Sequence, residues 1–202
     1  MLVPMWMLVV AGLGAGVGAR LFADGWLRRN LYAGFSVRRG VPELCVAAGW
    51  IFVGVANSSA VQLVSGLVLV WWCVAVSSVD VAVRRLPNSF TLPAYLVVLV
   101  GAAFTGTLWA AVVGSFMLAG MHLVTHVVSS TSLGAGDVKL ALPLGAITGS
   151  AGAQVWLSAA LLAPLFTLVV AGVLARRSRL PHGPSMCGAA LLALAFGVMA
   201  EG

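Results

Sequence analysis

Charged residues are scarce in this chain. Of its 202 residues only 8% are Asp, Glu, Lys or Arg, whereas 61% are hydrophobic. A soluble globular domain carries roughly 25% charged residues, so a water-soluble fold would lack the polar surface to cover itself. Long apolar runs recur from one end of the chain to the other, which predicts an all-α, polytopic bundle of transmembrane helices. We expect a single membrane-embedded domain over residues 1–202.

Cysteine is also nearly absent, and the three that occur are far apart. Cys45, Cys73 and Cys187 each lie in an apolar setting, and none belongs to a CxxC pair. This spacing encodes neither a zinc ribbon nor a disulfide framework. We interpret all three as buried thiols that pack as small hydrophobic side chains.

Acidic residues number five against eleven basic ones, and the net charge is +6. The basic residues fall into four groups, separated by segments almost free of charge: Arg20 to Arg39, Arg84 with Arg85, Lys139, and Arg176 to Arg179. No group is interleaved with aromatic residues as a nucleic-acid surface would be, which argues against nucleic acid as a partner. The grouping follows the positive-inside rule and predicts that these loops face the cytoplasm.

The first apolar run is expected to be a retained helix. No positive charge precedes it and several follow it, which is the wrong polarity for a cleaved signal peptide. Gly12/Gly16 and Gly14/Gly18 form overlapping GxxxG pairs, which favour the close approach of another helix. Residues 20–43 are then expected to form a short basic cytoplasmic loop, whose arginines meet anionic lipid headgroups.

The remaining apolar runs bring the expected count to about eight spans, with both termini outside. The run over 41–79 splits into two helices at Asn57-Ser58-Ser59, and the first is only marginally long enough to cross a bilayer. Further connections are expected at Thr105-Gly106-Thr107, at the loop from Ser129 to Gly136, and near Gly149-Ser150.

Two of the five acids stand at the ends of long apolar runs. Asp80 closes one run, and Asp137 follows the Gly-rich sequence Leu133-Gly134-Ala135-Gly136. On the predicted topology both face the same side of the membrane, where an ionisable group marks a functional site by default. Two carboxyl groups that share a proton can hydrolyse a peptide bond, one as base on water and the other as donor to the carbonyl oxygen. Such a pair titrates as a unit.

Other interpretations of these residues stay open at this level. Asp137 is placed to cap the helix that follows it, and Asp80 precedes Arg84 by one helical turn, where an ion pair is favoured. A small proton-coupled transporter that uses both acids as a relay is a second candidate function. His122 and His126 share a helix face and could hold a metal ion. Without a third ligand nearby, a packed or interface-facing histidine pair is favoured.

Three motifs together resemble those of the type IV prepilin leader peptidases, a family of membrane aspartyl proteases of the GxGD type. The first is Gly134-Ala135-Gly136-Asp137-Val138-Lys139-Leu140, which matches GxGD followed by a hydrophobic residue, Lys and Leu. The second is Asp80 with Arg85-Leu86-Pro87-Asn88, where an aspartate precedes a Pro-Asn pair. The third is Pro181-His182-Gly183-Pro184, which resembles a PxGP element ahead of the last helix. In chain order the motifs extend from Asp80 to Pro184.

The resemblance implies a GxGD aspartyl protease-like bundle in which Asp80 and Asp137 are the catalytic pair. We expect Gly134 and Gly136 to give the loop the backbone freedom to present Asp137. Lys139 is expected to face lipid phosphate, with an influence on the protonation of the pair as the alternative. The supporting residues implied by the motifs are Arg85, Pro87, Asn88, Gly134, Gly136, Lys139, Pro181, Gly183 and Pro184.

The implied substrates are prepilin or pseudopilin precursors, cut at the cytoplasmic face of a prokaryotic inner membrane without a metal or organic cofactor. Long members of the family carry a cytoplasmic insert with paired CxxC motifs, associated with methylation of the new N-terminus. Residues 20–43 have no Cys and no room for that insert, so we expect peptidase activity without methyl transfer. Proteases resembling presenilin carry Tyr before the first Asp, whereas Val79 precedes Asp80 here. An archaeal preflagellin peptidase stays an alternative, and self-association is left open.

Overall fold

The fold is helical throughout the part of the chain that the computed structural model describes, residues 3–30, 32, 34–57, 59–128, 134–174 and 181–201. Within these ranges there are eight α-helices and no β-strand, which confirms the predicted all-α class. The helices are α1 (Met5–Arg29), α2 (Val41–Ala56), α3 (Ala60–Val83), α4 (Asn88–Phe104), α5 (Leu108–Val128), α6 (Ala135–Ser150), α7 (Ala153–Leu174) and α8 (Gly183–Glu201). Leu133, most of the expected 129–136 loop and the basic group at 176–179 lie outside the described residues.

Four of the helices are long and apolar enough to cross a membrane, whose hydrocarbon core requires ~20 residues. They are α1, α3, α5 and the Ala153–Val170 part of α7. Large apolar side chains on them are exposed, such as Val61 and Trp109 at 79% each, as expected of surfaces that face lipid tails. α2, α4 and the Gly183–Val198 part of α8 are apolar but shorter. The protein is therefore a helical membrane protein, while the predicted count of about eight spans is not confirmed.

One compact unit comprises the chain up to Arg84 together with its end from Val198, and contains α1, α2 and α3. Small residues of α1 let α2 approach closely: a Cβ on Gly12 would lie 2.7 Å from Ala47 Cα, and one on Gly16 would clash with Glu43 Cα. The prediction for the Gly12/Gly16 pair is thus confirmed. No described atom lies within 4 Å of a Cβ built on Gly14, so the second pair does not bring a helix as close.

In this unit α1 continues well into the segment 20–43 that was expected to be a loop. Two of its charged residues, Arg20 and Asp24, are bonded to groups that lie outside the helix. Arg20 Nε donates to Glu43 Oε1 at 2.7 Å, and Asp24 Oδ1 accepts a hydrogen bond from the Val37 N–H at 2.8 Å. The loop is thereby confined to the segment between α1 and α2, and it is tied to both helices.

The second compact unit runs from Arg85 to Gly197 and contains α4 to α7 with most of α8. Glycines bring α5 and α6 together: a Cβ on Gly149 would lie 3.1 Å from Gly114 Cα, and one on Gly145 2.9 Å from Leu118 Cβ. These contacts oppose residue 114 to 149 and residue 118 to 145, so the two helices run antiparallel. Gly145 and Gly149 thus form a second GxxxG pair at a helix contact, besides the Gly12/Gly16 pair expected for α1. The expected single domain over 1–202 stays a prediction.

The helix connections agree with the sequence in two places and differ in a third. α2 ends before Asn57 and α3 begins after Ser59, whose hydroxyl accepts a hydrogen bond from the Gln62 N–H at 3.2 Å. The α4–α5 turn lies at the predicted residues, where Gly106 takes φ 73°. The α6–α7 turn falls later than predicted, because Gly152 at φ 116° supplies the left-handed conformation that suits a helix end.

The expectation that all three cysteines are buried is wrong for one of them. Cys73 and Cys187 are buried, whereas Cys45 on α2 is exposed.

Candidate active site

Asp137 lies in the first turn of α6 and is only 6% exposed. Its Oδ2 accepts a hydrogen bond from the Gly134 N–H at 2.9 Å, and its own N–H donates to the Gly134 carbonyl at 3.1 Å. Gly134 is therefore the N-cap residue, and not Asp137. Asp137 lies three residues inside the helix, and its side chain accepts the hydrogen bond of the N-cap N–H. These bonds hold the carboxyl group in one place at the helix start.

The two motif glycines act through their small size and not, as expected, through backbone freedom. Gly134 has φ −81° and ψ 152°, which any residue adopts, and Gly136 is helical. A Cβ on Gly136 would lie 2.9 Å from Leu86 Cβ and 3.3 Å from Leu86 N. A Cβ on Gly134 would lie 3.4 Å from Asp137 Oδ2. The glycines thus let the start of α6 pack against the segment ahead of α4 without displacing the carboxyl group.

Lys139 connects α6 to the start of α4. Its Nζ donates to Asn88 Oδ1 at 2.8 Å, a contact between residues 51 positions apart. Lys139 thus has a partner within the protein, and the expectation that it faces lipid phosphate stays a prediction. Together with the contact between Gly136 and Leu86, this bond brings two of the three sequence motifs into direct contact.

Pro87 immediately precedes α4, whose first residue is Asn88. Its φ of −72° suits proline, and it lacks the N–H that a helix start would leave without a partner. Its carbonyl accepts hydrogen bonds from the Phe90 N–H at 3.0 Å and from Thr91 Oγ1 at 3.4 Å. Thr91 is fully buried, and no motif in the sequence pointed to it. The buried threonine fixes the turn that presents Asn88 to Lys139.

Asp80 belongs to the first unit, where it lies in the last turn of α3 and is 4% exposed. Its carbonyl accepts a hydrogen bond from the Arg84 N–H at 2.7 Å, so the structure links these two residues through the backbone. Arg84 ends the helix in the left-handed conformation, at φ 53° and ψ 39°, which is uncommon for a residue with a side chain. Arg85 follows it and is exposed. The pairing of Asp80 with Asp137 stays a prediction.

The third motif leads into α8. Gly183 is the first residue of that helix and Pro184 the second, a position where the missing N–H of proline costs nothing. The His182 carbonyl accepts a hydrogen bond from the Met186 N–H at 3.0 Å. Gly183 is buried, whereas Pro181 and Pro184 are half-buried. The motif therefore sets the start of α8 and holds His182 immediately before it.

His122 and His126 lie on the side of α5 that is turned toward the protein. Both are half-buried, whereas Leu123 and Thr125 beside them are exposed. His122 Nδ1 is bonded to the Leu118 carbonyl at 2.9 Å. Among the residues that the structure describes, no three His, Cys, Asp or Glu side chains are placed to share a metal ion. The packed-pair interpretation is the one that this geometry favours.

Comparison with known proteins agrees with the motifs. A sequence model of the type IV leader peptidase family matches residues 67–176, more than half of the chain. The matched stretch includes Asp80, Asp137 and the contacts between α4 and α6. It ends before the Pro181–Pro184 motif, which therefore rests on resemblance alone. No curated protein and no solved structure matches the chain.

Proposed function

Because the chain belongs to the type IV leader peptidase family, we propose that this peptidase is an aspartyl endopeptidase which removes the leader peptide from type IV prepilin-like or pseudopilin-like precursors. Asp80 and Asp137 are the catalytic pair in this proposal. Cleavage takes place at the cytoplasmic face of a prokaryotic inner membrane. The reaction needs neither a metal ion nor an organic cofactor, since two carboxyl groups supply the acid and the base.

The observation that carries the proposal is the burial of both acids in a membrane protein. Asp80 and Asp137 are more than nine-tenths buried. An ionisable group in an apolar setting costs stability, so its presence there indicates a function. Asp24 and Glu43, by contrast, have a structural task, because both interact with Arg20. Asp137 is in addition held by the Gly134 N–H at the point where two family motifs meet.

The proposed reaction is a direct attack of water on the scissile peptide bond. The ionised carboxylate of the pair takes a proton from water, and the water oxygen bonds to the carbonyl carbon. The protonated carboxyl group donates its proton to the carbonyl oxygen, which gives a tetrahedral intermediate. Collapse of the intermediate breaks the C–N bond as a proton passes to the leaving nitrogen. The products are the leader's carboxylate and a new N-terminus.

The basic residues of the first unit bear on how a precursor is recognised. The end of α1 and the loop between α1 and α2 expose four arginines: Arg28, Arg29, Arg38 and Arg39. A basic leader is repelled by such a surface, so recognition depends on the apolar helix of the precursor and not on charge. Phe35 is exposed beside these arginines and packs edge-on against Tyr32, with ring centroids 6.5 Å apart. Arginines with an exposed aromatic ring suit contact with anionic lipid headgroups.

Two substitutions and a matched control test the proposal. Asp80→Asn and Asp137→Asn each remove a carboxyl group and keep its shape, and we expect each to lower cleavage of a reconstituted precursor at least ~100-fold. Asp24→Asn is the control, since it alters a carboxylate that accepts a hydrogen bond from Val37 in the first unit. Precursor cleavage that persists in the double Asn variant would refute the proposal.

Further assays separate the neighbouring hypotheses. If both Asn variants instead abolish proton-coupled solute flux in proteoliposomes and leave cleavage intact, the protein is a transporter. Cleavage of a preflagellin in preference to a prepilin identifies the archaeal type of activity. We propose in addition that the peptidase does not transfer methyl groups. Transfer of label from S-adenosylmethionine to the cleaved product by the purified protein contradicts that statement.

A further inference from the structure

The chain has three histidines, and all three come near the start of α6. Leu118 on α5 packs against Gly145 on α6, and the helices run antiparallel. One turn further along α5 therefore faces one turn earlier on α6, which sets His122 level with the first turn of α6, between Asp137 and Ala141, and His126 level with the very start of that helix. Burial raises the pKa of the Asp137 carboxyl group, whereas the hydrogen bond from the Gly134 N–H and the charges of His182, His122 and His126 act to lower it.

Hydrogen bonds assign the proton-binding nitrogen of two of these rings. The Leu118 carbonyl can only accept, so His122 Nδ1 carries the hydrogen in their 2.9 Å bond. The Thr167 hydroxyl donates its one proton to the Ala163 carbonyl at 3.1 Å, so it accepts in its 3.3 Å contact with His182 Nδ1. In both rings Nε2 is therefore the nitrogen that takes up a proton, and protonation turns the ring into a cation.

The surroundings of His122 strengthen the interaction of a charge on its ring with other charged groups. His122 lines an apolar cavity between α5, α6, α7 and α8, together with Leu144 and Met186. A cation beside apolar groups is screened less than one in water, so it acts more strongly on a carboxyl group nearby. His182 stands directly before α8, one helical turn ahead of Met186.

Two other charged residues of this unit lie on or next to α6. On α6 itself, Lys139 is bonded to Asn88 at the start of α4. Arg85, ahead of α4, is exposed. α7 has no ionisable residue within Ala153–Leu174. Histidine is the side-chain type whose unperturbed pKa allows its charge to change between about pH 5 and pH 8.

We propose that His122, His126 and His182 are positioning residues that place positive charge beside Asp137 in mildly acidic conditions and keep the peptidase active there. The inference rests on the proposed function. A cation beside a carboxyl group favours its ionised form, and that form accepts the proton from water. Protonated histidines therefore extend cleavage to lower pH than the carboxyl pair alone permits.

The test is the pH dependence of kcat/KM for cleavage of a prepilin-like precursor by the protein reconstituted in liposomes. The variants are His126→Gln, His182→Gln and His122→Gln, each of which keeps hydrogen-bonding capacity without a titrating cation. We expect the acid limb of the profile to move upward by about 0.5–1 pH unit in each. Thr125→Val is the matched control: Thr125 adjoins His126, is exposed, and should leave the limb in place.

A second substitution distinguishes charge from packing. His126→Lys keeps a cation at all pH values of the assay, so we expect it to hold the acid limb at or below its wild-type position. Acid limbs that coincide in wild type and all three Gln variants overturn the inference and leave the proposed function standing. A limb that His126→Lys moves upward as far as His126→Gln does also overturns it. If wild type cleaves no precursor at any pH, the proposed function fails and the inference fails with it.

Discussion

Replacing Gly136 by Ala should damage the site far more than the size of one methyl group suggests. The added Cβ would lie 2.9 Å from Leu86 Cβ and 3.3 Å from Leu86 N, whereas carbon atoms prefer ~3.5–4.0 Å. The start of α6 must therefore move by roughly half an ångström or more. Overpacking of this kind costs about 1–3 kcal/mol, and the better helix propensity of Ala returns at most ~1 kcal/mol. We expect the variant to be less stable by about 1–2 kcal/mol.

The rate of cleavage should also fall, even where the variant is folded, because Asp137 is the next residue in the chain. A misplacement near 1 Å can cost ~100-fold in rate, so we expect kcat/KM for precursor cleavage to drop at least ~10-fold. Reversible unfolding in detergent micelles measures the stability, and cleavage at a temperature well below unfolding measures the rate. Gly120→Ala is the control, since no described atom lies within 4 Å of its added Cβ. If Gly136→Ala matches wild type in both measurements, the close contact with Leu86 has no part in holding Asp137.

Other substitutions test the helix contacts. In a double-mutant cycle, Lys139→Met and Asn88→Ala should show a coupling of about 0.5–1 kcal/mol in unfolding free energy. The coupling is smaller than for a buried bond to a charged group, because solvent screens this accessible one. Additive effects of the two substitutions contradict the expectation. Gly16→Ala should destabilise the protein by ~2 kcal/mol or more through its clash with the backbone of α2, while Gly14→Ala should stabilise it by about 0.5–1 kcal/mol. Arg84→Gly should stabilise the protein by up to ~1 kcal/mol, because glycine adopts the left-handed conformation without a steric cost. A lower unfolding midpoint for Arg84→Gly counts against that account.

Local chemistry made several helix boundaries predictable. Ser59 caps α3 with its own hydroxyl, and Gly106 supplies the positive φ that a tight turn requires. The end of α1 was not predictable in the same way. Arg20 is satisfied by Glu43, which lies 23 positions further along the chain, so nothing in the local sequence shows that the helix continues. Contacts between distant residues decide such boundaries.

In the site, too, the motifs identify residues by type, whereas the packing contacts of those residues cannot be predicted from the sequence. The GxGD and Pro-Asn motifs point to Asp137 and Asn88 by residue type alone. The function of Gly136 was misjudged, because the atom that requires a glycine there belongs to Leu86, in another part of the chain. Thr91 and the Gly145/Gly149 pair belong to no family motif, and their value appears only where a neighbouring segment packs against them. Small residues in a helix give little sign of which neighbour will come close.

The junction of α4 and α6 sets two helix N-termini side by side, since Asn88 opens α4 and is bonded to Lys139 near the start of α6. Each N-terminus carries a macrodipole equivalent to about half a positive charge. Asp137 lies within the first turn of one of these helices, near the start of the other. In the proposed reaction, negative charge on a carboxylate or on the substrate's carbonyl oxygen interacts there with aligned peptide dipoles, which belong to the backbone and do not titrate. No side-chain substitution that preserves the two helices removes this part of the field.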